Sequence, residues 1–165
     1  WFCQNPQAEY LNADTMLRLK DAEHVTAIKW SVPAGEDYDQ MRRFSDTFNV
    51  IDNSGQRVRC HKNGGRGYIS SLVAIYPPHD LEMWQMLEAG RYDEADAMSN
   101  RVTDALADWL TKTGAESGGY RQGKAMLAAM GQPIGPPRPP TLPVAEEDIA
   151  ELRVIFENLG WVSST

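Results

Sequence analysis

Apolar and polar positions alternate over residues 24–31, His-Val-Thr-Ala-Ile-Lys-Trp-Ser, which predicts a short β-strand closed by Pro33 and Gly35. With a period of two, Val25, Ala27 and Lys29 share one face, and Thr26, Ile28 and Trp30 share the other. The same pattern predicts a strand end at residues 1–3, closed by Gln4, Asn5 and Pro6. Further strands are expected at 48–52, turned by Asn53, Ser54 and Gly55, and at 68–73, after Gly64-Gly65-Arg66-Gly67. Short helical patterns lie between them. Asn12 is placed to cap a helix over 13–22 with Met16, Leu17 and Leu19 inward. A second helix over 37–47 is expected to bury Met41 and Phe44, and a third covers 56–62. Strands alternating with short helices predict β/α units around a parallel sheet.

Beyond residue 77 the pattern turns wholly helical. One helix is expected over 80–89, with Leu81, Trp84 and Leu87 at helical spacing. A long helix over 91–112 is marked by Ala95, Met98, Val102, Leu106 and Leu110, and another covers 119–130. Residues 132–144 carry six prolines, too many for a helix or a central strand, so they read as an extended surface connector. A last helix over 146–159 presents Ile149, Leu152, Ile155 and Phe156. The change in character divides the chain into an α/β part, 1–77, and a helical part, 78–165.

Composition narrows the functional classes. At 165 residues the chain is long enough for a globular core. Its formal net charge of −7, with no block of lysines or arginines, argues against nonspecific binding to nucleic acid or to an anionic membrane. No apolar run approaches a membrane span. Two cysteines, Cys3 and Cys60, make no disulfide framework and suit a reducing, cytoplasmic setting. The sequence starts at Trp1 rather than Met, and its first residues read as the end of a strand, so a preceding segment is expected.

Chemistry concentrates at Lys29. Sharing a strand face with Val25 and Ala27, its amine is expected to lose hydration, which disfavours the charged form and favours a nucleophilic free amine. Such an amine forms Schiff bases with carbonyl substrates. On spacing alone the alternative is a lysine near a strand end that snorkels to water. Other features are weaker. Gly64-Gly65-Arg66-Gly67 lacks the lysine and hydroxyl residue of a phosphate loop and precedes a strand, so it reads as a tight turn. Cys60, His61, Cys3 and His24 have no zinc-like spacing, and no metal or cofactor is expected. His61 reads as a surface residue and His79 as part of a helix start. Arg42-Arg43 and Glu146-Glu147-Asp148 read as solvated faces, the latter suited to a helix N-terminus. Trp84 and Trp109 read as core or subunit contact.

In order along the chain come Asn5-Pro6 after a strand, Ala27-Ile28-Lys29 on the next, Asp52-Asn53-Ser54, and Gly64-Gly65-Arg66-Gly67-Tyr68-Ile69-Ser70. Arg121 and Lys124 follow, then Arg138-Pro139-Pro140 and a closing helix ending Leu159-Gly160. This order resembles the second half of the dihydrodipicolinate synthase / N-acetylneuraminate lyase family, over essentially the whole chain. The resemblance implies an α/β fold, a TIM (β/α)8 barrel of which this chain holds strands five to eight and the C-terminal helices. That fold typically needs about 250 residues, so an N-terminal half is expected elsewhere, in the same chain or a second one. It further implies a lyase, either aldolase or dehydratase, in which Lys29 forms a Schiff base with pyruvate or another 2-oxo acid. Asn53, Gly67 and Ile69 would contact the substrate. A homo-oligomer, dimer or tetramer, is implied as well.

The departures from the family pattern are informative. Cys3 stands where the family has the tyrosine that relays protons. A thiol there could serve, with a reference pKa of about 8.5, or could simply pack. The arginine that holds a carboxylate in the lysine-biosynthetic synthases is absent from Gln7-Ala8-Glu9-Tyr10, and Glu9 would repel one. Tyr10 offers a hydroxyl only if its loop folds inward. Asp52-Asn53-Ser54 replaces the usual Gly-Asp-Asp. Two alternatives therefore accompany the lyase: a catalytically degenerate paralogue that binds an oxo acid or serves as a partner subunit, and an unrelated α/β binding module.

Overall fold

The computed structural model describes residues 2–3, 11–114 and 119–162. They fall into two compact units, Trp1–Ser70 and Ser71–Thr165. In the first unit four strands form a parallel sheet in the order β1-β2-β3-β4: β1 (Phe2–Cys3), β2 (Ala27–Trp30), β3 (Asn49–Asp52) and β4 (Gly67–Tyr68). Sequence neighbours pair throughout, as expected of successive β/α units.

Each connection packs on the side of the sheet that holds Ile28, Trp30 and Val50. Helix α1 (Ala13–Leu17) starts at Asn12, whose side chain accepts from the Thr15 amide at 3.0 Å, and it buries Met16. It then tightens into a 3-10 turn over Arg18–Asp21, so the expected ten-residue helix is half α. The helix expected over 37–47 is a 3-10 segment, Tyr38–Arg43, with Asp37 accepting from the Asp39 amide. Met41 and Phe44 are fully buried, as their spacing suggested. Helix α2 (Arg57–Lys62) buries Val58 and Cys60, with His61 half-buried. Trp30 is the hub of this core: it meets Phe44 edge-on at 5.2 Å and Tyr38 at 6.4 Å, and its indole N–H donates to the Tyr38 carbonyl.

The strand expected over 68–73 is shorter. Tyr68 pairs with Asp52, the Ile69 amide donates to the Asp52 carbonyl, and there the ladder stops. Its partner strand has turned away at Asn53, so no edge remains for residues 70–73, and Leu72–Ala74 forms a 3-10 turn.

The second unit contains α3 (Pro77–Glu88), α4 (Tyr92–Gly114), α5 (Gly119–Ala129) and α6 (Glu146–Leu159). Pro77 and Pro78 occupy the first turn of α3, where a missing N–H costs nothing. His79 lies in that turn and is buried. The apolar face of α3 is Met83, Met86 and Leu87, while Leu81 is 62% exposed. On α4 the face follows Ala95, Val102, Leu106 and Trp109, with Met98 half-buried and Leu110 at the surface. Trp109 takes the inward place expected of Leu110 because its indole N–H reaches the Asp148 carbonyl on α6 at 2.8 Å. Trp84 is half-buried. Residues 132–144 form neither helix nor strand, as six prolines require, and instead of staying extended they turn at Pro139–Pro140, where the Thr141 amide donates to the Arg138 carbonyl. Among the described residues no helix is long and apolar enough to cross a membrane.

Two stability predictions follow from this packing. A β-carbon on Gly65 would lie 2.3 Å from Cys60 Sγ and 2.8 Å from the Cys60 carbonyl oxygen, which belongs to backbone and cannot swing aside. Gly65→Ala should therefore destabilise the first unit by about 1–3 kcal/mol in urea unfolding; an unchanged midpoint would refute the close approach. Leu152, fully buried between α6 and its neighbours, should cost about 2–5 kcal/mol as Leu152→Ala, read as a lowered Tm of the helical unit.

Candidate functional site

In-register pairing sets one row across the sheet: Cys3 opposite Lys29, Lys29 opposite Ile51, and Ile51 opposite Gly67. Ile28, Trp30, Val50 and Asp52 are buried on the helix-covered face. Ala27, Lys29 and Ile51 occupy the other face and are half-buried. Period-two alternation thus puts the Lys29 side chain opposite the hydrophobic core, with less burial within this chain than its apolar neighbours suggested. Lys29 is the penultimate residue of β2, at the C-terminal edge of the sheet.

The ladder extends one step past the strands. The Asn53 amide donates to the Trp30 carbonyl at 2.9 Å, and the Ile69 amide to the Asp52 carbonyl at 2.8 Å. Asn53 and Ile69 directly follow β3 and β4, at the same C-terminal edge of the sheet as Lys29. The five residues singled out from sequence, Cys3, Lys29, Asn53, Gly67 and Ile69, therefore gather at the C-terminal ends of four adjacent strands. For Cys3 only its place in the ladder is described. Asn53 is half-buried and Ile69 is 47% exposed. A β-carbon at Gly67 would lie 3.1 Å from the end of the Ile51 side chain, which would have to give by a few tenths of an ångström. Gln4 to Tyr10, which include Glu9 and Tyr10, lie outside the described residues.

Behind this face is a polar cluster that sequence reasoning did not assemble. The Tyr38 hydroxyl donates to Asp52 Oδ1 at 2.8 Å, and the same oxygen accepts from the Ser54 amide at 3.0 Å and the Ser54 hydroxyl at 2.9 Å. Asp52 Oδ2 is buried with no hydrogen-bond partner among the described residues. Burial, then the neighbouring Cys60 and the Asp52 carboxylate, hold the Tyr38 hydroxyl far above its ordinary range. Burial likewise pushes the Cys60 thiol up to about 11, although its hydrogen bond with Tyr38 pulls the other way. Both groups stay neutral near pH 7 and neither is an activated nucleophile.

A polar lattice, exposed at Arg59 and buried at Asn63, covers the Tyr38 ring. The Arg59 guanidinium lies 5.3 Å from its centroid while Arg59 Nε donates to Asp39 Oδ1 at 2.6 Å, and Asn63 Nδ2 donates to the same oxygen at 2.7 Å. Chiefly through the Arg59 hydrogen bond, Asp39 is held below the usual carboxylate range. Tyr38 and Asp52 are fourteen residues apart, so no local pattern announces their contact; the one available signal was an aspartate in place of the glycine of Gly-Asp-Asp. Elsewhere, in the helical unit, a small cavity of about 190 Å³ is lined by Tyr76, His79, Glu82, Arg101 and Trp161, among others. Among the described residues no three His, Cys, Asp or Glu side chains are grouped to hold a metal ion.

Solved structures share this architecture. A dihydrodipicolinate synthase from Thermotoga maritima matches with TM-score 0.74 and 22% identity, over 97% of this chain and 55% of its own. A dihydrodipicolinate synthase from Bacillus anthracis gives 0.67 and 26%, over 90% and 50%. An N-acetylneuraminate lyase from Fusobacterium nucleatum gives 0.75 and 16%, over 94% and 53%. The chain thus spans about half the length of these structures, which supply the fold for a partial barrel. No curated protein matches the sequence. The model of the dihydrodipicolinate synthetase family matches residues 7–159, nearly the whole sequence, and this chain belongs to that family.

Proposed function

We propose that this chain is the Schiff-base half of a (β/α)8-barrel lyase, an aldolase or dehydratase acting on pyruvate or another 2-oxo acid. The observation that supports this reading most directly is the register row that contains Cys3, Lys29 and Gly67 at the C-terminal edge of a parallel sheet, the edge where active sites of this barrel form. Family membership removes the unrelated binding module from consideration.

The chemistry follows from the amine. Lys29 Nζ adds to the ketone carbon, and loss of water leaves an imine. Once protonated, the imine draws electrons from the adjacent carbon, which can then lose a proton or a carbon substituent to give an enamine. Reprotonation, addition to an aldehyde or expulsion of hydroxide completes the alternatives. In this proposal Cys3 relays the proton, main chain at Gly67 and Ile69 approaches the oxo acid, and Asn53 contacts its far end. No metal or cofactor is needed for these steps. The absence of an arginine from Gln7-Ala8-Glu9-Tyr10 supports a substrate other than that of the lysine-biosynthetic synthase. The proposal includes an N-terminal half that completes the barrel, a dimer or tetramer, and a cytoplasmic setting. Two departures, Cys3 for tyrosine and Asp52-Asn53-Ser54 for Gly-Asp-Asp, favour a second reading, a paralogue that binds an oxo acid without efficient turnover.

Borohydride treatment of the intact protein with pyruvate, followed by mass mapping, tests the first step. An adduct on Lys29 supports either reading, and turnover of 2-oxo-3-deoxy sugar acids separates them; no adduct on folded protein rejects both as drawn. Lys29→Ala should lower kcat by on the order of 10³-fold or more, so unchanged activity would remove the lysine from the mechanism. Cys3→Ser should lower kcat on the order of 10²-fold and reshape its pH profile. A profile identical to that of the unaltered protein would leave Cys3 a packing residue.

A further inference from the structure

Asn63-Gly64 is the one Asn-Gly pair in the sequence, and the end of α2 requires it. Asn63 caps the helix, and Gly64 follows with φ +87°, a left-handed conformation that favours glycine. The Gly64 amide donates to the His61 carbonyl at 3.0 Å and the Gly65 amide to the Cys60 carbonyl at 2.8 Å, which closes the helix. Helix termination thus imposes a chemically labile pair. Asparagine is among the thermolabile residues, most of all before glycine, whose bare α-carbon does not hinder attack by its own amide nitrogen. Yet the Asn63 side chain is held at both ends. It is 5% exposed, its Nδ2 donates to Asp39 Oδ1 at 2.7 Å, and its Oδ1 accepts from Arg42 Nε at 2.5 Å. Asp39 and Arg42 both belong to the 3-10 segment Tyr38–Arg43, so Asn63 ties the segment before β3 to the helix after it.

We propose that Asn63 is a modification site gated by the fold: locked while this tie is intact, and converted to aspartate or isoaspartate once α2 opens. The site is independent of the chemistry at Lys29. In the open chain the Gly64 nitrogen, deprotonated by solvent base, bonds to Cγ of Asn63. The bond from Cγ to Nδ2 breaks, ammonia leaves with a proton from water, and a cyclic imide remains. Water then opens the imide at either carbonyl, giving aspartate or, with the main chain rerouted through the side chain, isoaspartate. In the folded chain both reacting groups are committed. The Gly64 nitrogen keeps its proton on the His61 carbonyl, and the Asn63 side chain leaves Asp39 and Arg42 only by breaking bonds to two charged groups. Arg42 also polarises the Asn63 carbonyl, which alone would favour attack, so the lock rests above all on the bond to Asp39. Conversion works against reclosure. A carboxylate oxygen replaces the N–H donor that faced Asp39, and two negative groups meet where a hydrogen bond was. Isoaspartate also lengthens the main chain at the helix cap.

The test uses the full chain, kept in mildly alkaline buffer either folded or in urea, with conversion of Asn63 followed by digestion and mass mapping. The folded chain should convert at least about tenfold more slowly than the chain in urea, because reaction waits on local opening; equal rates would overturn the gate. Asp39→Ala, which removes the acceptor of Nδ2, should speed conversion in the folded protein by about fivefold or more and leave the rate in urea unaltered. A folded rate no faster than that of the unaltered protein would overturn the lock. Asn63→Asp, the product made directly, should lower the urea midpoint, and an unchanged midpoint would overturn the effect on reclosure. That midpoint and the comparison of folded with unfolded chain decide the matter if Asp39→Ala does not fold.

Discussion

Burial of Trp30 is the constraint on which the sheet-bearing unit depends. Its indole fills the space behind β2, edge-on to Phe44 and Tyr38, and its N–H is satisfied by a carbonyl of the segment that covers it. A strand alternates its side chains strictly, so anchoring Ile28 and Trp30 in the core leaves Lys29 no choice of face. A slip of one residue would bury a lysine and expose a tryptophan. The cost of that exchange is far larger than any local preference of the chain, and it holds the amine on the face opposite the core, at the sheet edge where Asn53 and Ile69 leave the neighbouring strands.

The same economy of parts appears at the end of β3. One carboxylate faces the core side, yet it orders the turn that leads to the opposite face. This is possible because Asp52 ends β3 and the residues that follow fold back on it, the Ser54 amide and hydroxyl both donating to its side chain. A buried carboxyl group is tolerable there because its donors belong to elements already fixed for other reasons: Tyr38 by the Trp30 cluster and Ser54 by the turn itself. The polar cluster is in this sense built on the hydrophobic one.

In the helical unit Trp109 plays the part that Trp30 plays in the sheet. It is fully buried, and its N–H reaches the Asp148 carbonyl in the first turn of α6. Lys112, one turn further along α4, joins Asp148 and Glu151 at the surface. With Lys112 half-exposed though Asp148 is only 16% exposed, that ionic contact sets direction more than stability; the packing of Leu152, Phe156, Leu106 and Val102 carries the energy.

What the sequence determined by itself is whatever repeats with the period of its own backbone. The last helix runs over 146–159 as its spacing indicated, Asn12 caps where a short polar side chain should, and Lys29 takes the face its neighbours assigned. Partners distant along the chain decided the rest. Strand β4 stops at Tyr68 because β3 has turned away, not because residues 70–73 disfavour extension. Leu81 and Leu110 lie outward while Met83 and Trp109 lie inward, since a helix with apolar residues on several sides is rotated by whichever contacts it finds. The bond from Tyr38 to Asp52 joins residues that no periodicity relates. Local sequence fixes which side chains can share a face; only the assembled core fixes which faces meet.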